Sequence, residues 1–149
     1  MTVKDYCTTA VVVTERTASV VEAARKMRAQ HVGTLIVVEQ RGGDQIPIGI
    51  LTDRDLVVEV LAQDVSPPAL AVGDVMSTEL LTADEHDDVL ATLTRMRGRG
   101  ARRIPIVNAR GALVGILTAD DLVEVLADAL MDLATVAHGG IRREQRLRQ

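Results

Sequence analysis

The stretch Gly49-Ile50-Leu51-Thr52-Asp53-Arg54-Asp55-Leu56 recurs as Gly115-Ile116-Leu117-Thr118-Ala119-Asp120-Asp121-Leu122, 66 residues further along the chain. Each copy begins with a glycine and a short apolar run and then changes to threonine and acidic residues. That pattern is typical of a strand that ends where a helix begins. Upstream the two halves match at an offset of 69, as in the pair Met27 and Met96. Two collinear copies of about 65 residues indicate an internal repeat.

Within each copy, the hydrophobic pattern predicts the order strand, helix, strand, strand, helix. Ser19 with Glu22 predicts a capping box before the first helix, and Asp88 takes the cap position in the second copy. Pro105 has no amide hydrogen, so it is expected at the start or edge of a strand. The predicted strands are Val11–Val13, Leu35–Val38 and Ile48–Leu51 in copy one, and Leu80–Thr82, Ile104–Val107 and Leu113–Leu117 in copy two.

The last helix is predicted to be long and amphipathic. Gly139-Gly140 is expected to end it, which leaves a basic tail with four arginines and one glutamate. Its predicted apolar face carries Leu122, Val125, Leu126, Ala129, Leu130, Leu133 and Val136, and its polar face carries Asp121, Glu124, Asp128 and Asp132.

The predicted domain organisation is residues 1–68 for the first repeat, 69–138 for the second repeat and 139–149 for the basic tail. The prolines at Ser66-Pro67-Pro68 mark the junction. One copy alone buries too little surface to be stable. The two are therefore expected to pack as one α+β unit with pseudo-twofold symmetry and a cleft between them.

Composition excludes several classes of protein. Hydrophobic residues make up 47% of the 149-residue chain and mean hydropathy is +0.15, which argues against disorder. The chain has one tyrosine, no other aromatic residue and a net charge of −4, so nucleic-acid binding is not expected. The single cysteine excludes an internal disulfide framework. Neither a signal peptide nor a membrane span is predicted, so a cytoplasmic location is expected.

The repeated motif places several polar groups within one helical turn. Thr52 and Thr118 lie where a helix N-terminus offers free amides and the positive end of its dipole, and both attract phosphate. Asp55 and Asp121 follow three residues later and have the chemistry to accept hydrogen bonds from a diol such as ribose. The pattern therefore suits a ribose-phosphate. It also suits a helix cap with an acidic first turn and no ligand.

The sequence resembles a tandem pair of CBS domains, known as a Bateman module. The resemblance spans about residues 3 to 127 and depends on both copies of the repeated motif, with His31–Val38 and Arg102–Val107. It implies two β-α-β-β-α repeats whose clefts bind adenosine ligands: AMP, ADP, ATP, S-adenosylmethionine and sometimes NAD. It also implies a homodimer, and a regulatory role exerted through a protein partner that the sequence does not identify.

Carried over residue by residue, the resemblance assigns ribose or phosphate contacts to Thr52 and Thr118, and ribose contacts to Asp55 and Asp121. A basic phosphate contact falls on Arg102 or Arg103, and Arg103 is favoured. The residues implied for the adenine slots are Thr9, Ala10 and Val11 in one copy and Thr78, Glu79 and Leu80 in the other.

Other candidate features have simpler explanations. The run of five arginines from Arg95 to Arg103 is either a phosphate-binding patch or the basic end of a helix. The acidic segment Asp84–Asp88 is expected to be a turn before a helix, and no metal site is predicted. Cys7 is expected to be a small packed side chain.

The sequence therefore predicts a regulatory, energy-sensing module that binds an adenine nucleotide or S-adenosylmethionine and requires no cofactor. The alternative is a ligand-free scaffold for dimerisation, with the long helix making the contacts. No catalytic dyad, triad or P-loop is found, so an enzyme is not expected.

Overall fold

The computed structural model describes residues 1–149. Each repeat has the predicted order of elements, preceded by a short helical turn. The elements of the first repeat are β1 (Val13–Glu15), α1 (Val20–Gln30), β2 (Thr34–Arg41), β3 (Asp44–Thr52) and α2 (Asp53–Leu56), which continues as a π-helical turn over Val57–Leu61. After α3 (Val72–Val75), those of the second repeat are β4 (Ala83–Asp84), α4 (Val89–Arg99), β5 (Arg103–Val107), β6 (Leu113–Thr118) and α5 (Ala119–Leu147).

Each repeat forms its own three-stranded sheet, in the order β1-β2-β3 or β4-β5-β6. The first strand pairs in parallel with the second, and the second pairs antiparallel with the third. The β2–β3 hairpin turns at Gly42 and Gly43, whose φ angles of 56° and 85° lie in the left-handed region that tight hairpin turns require. Ser19 and Glu22 form the predicted capping box of α1, and Asp88 caps α4.

The first strand of each repeat begins later than predicted, and β4 is shorter than β1. In the first repeat, the amide of Ile36 donates to the carbonyl of Val12 (3.1 Å), just before β1. The counterpart of Ile36 is Pro105, which has no amide hydrogen to donate. The β4–β5 pairing therefore starts only at Ala83 and Ile106. Pro105 is the third residue of the central strand β5, so the expected position at the start or edge of a strand is wrong. It pairs with Ile116 of β6 but precedes the first residue that pairs with β4.

The segments that precede the two repeats are exchanged between them. The amides and carbonyls of Thr8 and Ile116 bond reciprocally at 2.9 Å, and those of Ser77 and Ile50 bond at 2.9 and 3.0 Å. Thus the first eight residues pack on the second repeat, and the segment around Val72–Ser77 packs on the first.

This exchange also connects the two cores. Val3 is fully buried among side chains of the second repeat, including Met96, and Val72 is fully buried among those of the first, including Met27. Each repeat therefore contributes a buried side chain to the core of the other, and we expect the two repeats to fold as one unit.

The prediction for the end of the last helix is wrong. Helix α5 continues through Gly139 and Gly140 to Leu147, so the basic segment 139–149 is helical almost to its end. Glycine lowers helix stability but does not by itself stop a helix. Of the predicted apolar face, only Leu122 is buried.

The hairpin turns of the two repeats are joined by an ion pair. The Arg110 guanidinium donates to both carboxylate oxygens of Asp44, at 3.0 and 3.3 Å, and so lowers the pKa of Asp44. The two residues occupy equivalent positions in the two repeats. None of the helices combines the length and apolar character needed to cross a membrane.

Candidate functional site

The repeated threonines cap the two helices as the motif predicts. The Thr52 hydroxyl accepts from the amide of Asp55 at 3.1 Å, and the Thr118 hydroxyl accepts from the amide of Asp121 at the same distance. The Asp55 carboxylate accepts in return from the Thr52 amide at 2.8 Å. Asp121 makes no equivalent bond, so its carboxylate is free of the backbone. The two helix N-termini are equivalent in position but differ in hydrogen bonding.

Thr52 lies in a cleft built from both repeats, called here the Thr52 cleft. Its volume is about 300 Å³, at the lower end of the range for small-molecule sites. The first repeat supplies Thr34, Ile50 and Thr52, and the second supplies Glu79, Leu80, Leu81, Arg99, Ala101, Arg102 and Arg103. Three arginines and one glutamate make this cleft strongly positive.

Thr118 lies in the pseudo-symmetric counterpart, the Thr118 cleft, with a volume of about 240 Å³. It also draws on both repeats: Ala10, Val11, Val12, His31, Val32, Gly33, Thr34 and Ile36 come from the first, and Arg103, Ile116 and Thr118 come from the second. Arg103 is its only arginine, and Gly33 stands where the Thr52 cleft has Arg102. The two clefts thus share a plan but differ in charge.

Seven of the eleven residues that the resemblance assigns, with Arg103 as the favoured arginine, line one or both of the two clefts. Thr52, Glu79, Leu80 and Arg103 line the Thr52 cleft, whereas Ala10, Val11, Thr118 and again Arg103 line the Thr118 cleft. The other four, Thr9, Asp55, Thr78 and Asp121, are outside both linings. Asp55 and Asp121 are half-buried on the first turns of α2 and α5, one turn from the cleft threonines.

Sequence reasoning missed the residue that lies between the clefts in the first repeat. Thr34 lines both clefts, as does Arg103, its counterpart at the offset of 69. The offset would have identified Thr34 as soon as Arg103 was chosen. Ile50 and Ile116, inside the repeated motif itself, were also missed as lining residues.

The arginine run is divided by the fold. Arg99, Arg102 and Arg103 reach the Thr52 cleft, but Arg95 does not. The Arg95 guanidinium instead binds the Asp87 carboxylate at 3.1 Å and the Thr82 carbonyl at 2.6 Å. Arg95 is therefore a structural residue, and the arginine run is divided between structural contacts and the lining of the Thr52 cleft. Gly100 ends α4 with a φ of 62°.

The glycines of the motif admit a backbone rather than a ligand. A Cβ atom on Gly49 would lie 2.8 Å from the Ser77 carbonyl, and one on Gly115 would lie 2.7 Å from the Cys7 Sγ. Cys7 is packed there, as predicted, and burial raises the pKa of its thiol. The acidic segment Asp84–Asp88 forms a turn, and no group of three or more His, Cys, Asp or Glu residues is placed to hold a metal ion.

The fold and the paired clefts define a two-repeat α+β module, and comparison with known proteins places it in a family. The CBS domain family model matches residues 3–62 and 72–128. The chain belongs to the CBS domain family.

Its relatives include CBS domain-containing protein YhcV of Bacillus subtilis, which is 37% identical over 122 residues, 80% of this chain and 81% of that protein. An uncharacterized protein of Methanopyrus kandleri is 38% identical over 109 residues, 73% of this chain. The chain spans only 54% of the length of the Methanopyrus protein.

Solved structures that share the fold include a CBS domain pair in complex with 5′-methylthioadenosine and S-adenosyl-L-methionine. It superposes with a TM-score of 0.73 at 23% sequence identity, covering 87% of this chain and 98% of the other.

Proposed function

We propose that the protein is a regulatory module that binds an adenosine-containing ligand between its two repeats and signals to a protein partner. The observation that carries the proposal is that each cleft combines a helix N-terminus of one repeat with an extended segment of the other. A ligand in either cleft therefore bridges the repeats. The solved CBS pair with S-adenosyl-L-methionine and 5′-methylthioadenosine supports the adenosine class.

The adenine ring would be held without aromatic stacking. The apolar lining of the Thr52 cleft consists of Ile50, Leu80, Leu81 and Ala101. Flat aliphatic surfaces of this kind favour a planar ring by hydrophobic contact. The Glu79–Leu80 segment belongs to no strand. The Leu80 amide is bonded to the Thr78 carbonyl at 2.9 Å, so the other backbone groups of the segment are the ones that would bond to the ring edge.

The difference in charge favours the Thr52 cleft as the site for the phosphates. Arg99 and Arg103 make no ion pair, and Arg102 makes only a long one with Asp120, at 3.5 Å. Arginine matches phosphate oxygens in geometry and charge. ATP or ADP therefore fits the Thr52 cleft better than the Thr118 cleft, where Arg103 is the only arginine. This preference is consistent with an energy-sensing role.

Signalling requires that the ligand favour one arrangement of the repeats, because a ligand with equal affinity for two arrangements does not change their populations. Helix α5 is capped by Thr118, which lines one cleft, and no residue of α5 beyond Leu122 is buried. It offers a rigid connection from that cleft to a partner.

The test is calorimetric titration of ligand-free protein with ATP and with 5′-methylthioadenosine, which carries no phosphate. We expect saturable binding of ATP, weakened about 10-fold by Asp55→Ala through loss of hydrogen bonds to the ribose. Arg103→Met should weaken the binding of ATP by a similar factor and leave the binding of 5′-methylthioadenosine nearly unchanged.

The control for Asp55→Ala is Asp74→Ala. The Asp74 carboxylate accepts from the Ala71 amide at 2.9 Å, as the Asp55 carboxylate does from the Thr52 amide, but Thr52 lines a cleft and Ala71 lines neither. Equal loss of affinity in the two variants would show a general loss of stability instead of a ligand contact. Absence of binding by any adenosine ligand at millimolar concentration would refute the proposed function.

A further inference from the structure

The residue that precedes the second strand differs between the two repeats. Gly33 precedes β2 and lines the Thr118 cleft, whereas its counterpart Arg102 precedes β5 and lines the Thr52 cleft. The backbone is the same at both places. The Gly33 carbonyl accepts from the Asp53 amide at 2.9 Å, and the Arg102 carbonyl accepts from the Ala119 amide at the same distance. The two clefts therefore differ here only in their side chains.

The Asp53 carboxylate takes the place of the side chain that Gly33 lacks. A Cβ atom on Gly33 would lie 2.8 Å from Asp53 Oδ2 and 3.2 Å from the carboxyl carbon. The φ angle of Gly33 is not positive, so the close approach of Asp53, and not the backbone, is what requires a glycine. In the second repeat the counterpart of Asp53 is Ala119, whose short side chain leaves room for Arg102. The carboxylate therefore lies where a side chain equivalent to Arg102 would begin.

This exchange of side chains replaces a positive charge beside one cleft with a negative charge beside the other. The Thr52 cleft has three arginines and Glu79, and it remains positive even when Asp120, which lies 3.5 Å from Arg102, is counted. The Thr118 cleft has Arg103 as its only arginine, and Asp53 offsets that charge. The Asp53 carboxylate accepts from the amide of the next residue, Arg54, at 2.9 Å, and it forms none of the ion pairs of the chain.

We propose that the Thr118 cleft takes an adenosine ligand without phosphate, and that Asp53 is the residue that excludes phosphates from it. The inference rests on the proposed function and deepens it, because it names the ligand class of one cleft. A phosphate beside Gly33 would meet the Asp53 carboxylate, and like charges repel. It would also lack the guanidinium that Arg102 supplies in the Thr52 cleft.

Asp53 thus acts by repulsion of the wrong ligand, which is a common source of specificity. An adenosine without phosphate carries no charge for the carboxylate to repel. The two clefts then bind different ligands at the same time, a nucleotide at Thr52 and a phosphate-free adenosine at Thr118. The wild-type protein should therefore bind one ATP per chain in calorimetric titration, and the ATP-saturated protein should bind one 5′-methylthioadenosine more.

The test converts the first repeat to the side chains of the second. Asp53→Ala reproduces Ala119 and should tighten the binding of a second ATP by about 10-fold. Asp53→Ala combined with Gly33→Arg should give two ATP sites per chain and abolish binding of 5′-methylthioadenosine to the ATP-saturated protein. The control is Asp132→Ala, which removes an equal charge from an exposed position outside both linings and should leave the binding of both ligands unchanged.

The location of the second ATP is checked with Arg102→Met, which alters the lining of the Thr52 cleft alone and should weaken the first ATP but not the second. Urea unfolding shows whether each variant is folded. Asp53 is exposed, so Asp53→Ala carries the test by itself if the double variant does not fold. Two ATP molecules bound with similar affinity by the wild type would overturn the inference, as would a second ATP that Asp53→Ala does not tighten. The proposed function survives both results, whereas failure of every adenosine ligand to bind would refute the two together.

Discussion

Replacing Gly49 by alanine tests whether the exchanged segments hold the two repeats together. The added methyl would lie 2.8 Å from the Ser77 carbonyl oxygen and 2.9 Å from the Met76 sulfur. The sulfur is able to move aside. The carbonyl is not, because Ser77 is fixed by its two backbone hydrogen bonds with Ile50, at 2.9 and 3.0 Å. The segment must therefore move away from β3.

The expected cost follows from these contacts. Overpacking a tight site costs about 1–3 kcal/mol, and each weakened backbone hydrogen bond costs about 0.5–1.5 kcal/mol. Since the methyl displaces the segment without expelling it, we expect the free energy of unfolding to fall by about 2–4 kcal/mol. For a chain of this length, that lowers the melting temperature by about 5–15 °C.

The measurement is thermal and urea unfolding of Gly49→Ala beside Gly98→Ala. Gly98 lies inside α4, and a Cβ atom there meets nothing within 4 Å. Gly98→Ala should therefore stabilise the protein, by up to about 1 kcal/mol. If Gly49→Ala is as stable as the wild type while Gly98→Ala behaves as expected, the close packing of Ser77 against Gly49 would be contradicted.

Three further predictions concern stability. Thr92→Val should stabilise the fold by about 1 kcal/mol in urea unfolding, because the fully buried Thr92 hydroxyl has no hydrogen-bond partner; destabilisation would indicate a partner not seen here. Ser19→Ala should cost about 1 kcal/mol by removing the cap of α1, and an unchanged melting temperature would contradict that role. Since Arg110 lowers the folded-state pKa of Asp44, the stability contributed by this pair should be present above about pH 4 and lost as pH falls through the lower folded value. The difference in melting temperature between wild type and Asp44→Asn should then vanish in acid, and a difference that persists there would contradict the ion pair.

The repeat made much of the fold predictable. The duplicated Gly-Ile-Leu-Thr motif identified which positions of the two repeats are equivalent. Capping residues such as Ser19 and Asp88 marked where helices begin. These features are local, so the sequence displays them directly. Thr52 and Thr118 were found in the same way, because a strand-to-helix junction has a local signature.

What the sequence did not reveal depends on contacts between distant segments. The exchange of Val3 and Val72 between cores has no local signal, and neither does the position of Thr34 between the two clefts. The end of α5 was wrongly predicted because Gly139-Gly140 weakens a helix without dictating where it stops. Arg95 was grouped with its neighbours because the sequence does not show that Asp87 binds it.

The central claim is tested most directly by a crystal structure of the protein grown with ATP. We expect adenosine density between the repeats in the Thr52 cleft, with the ring against Ile50 and Leu80 and the phosphates at Arg102 and Arg103. Nucleotide bound away from both clefts, or clefts left empty in protein saturated with ATP, would contradict the account.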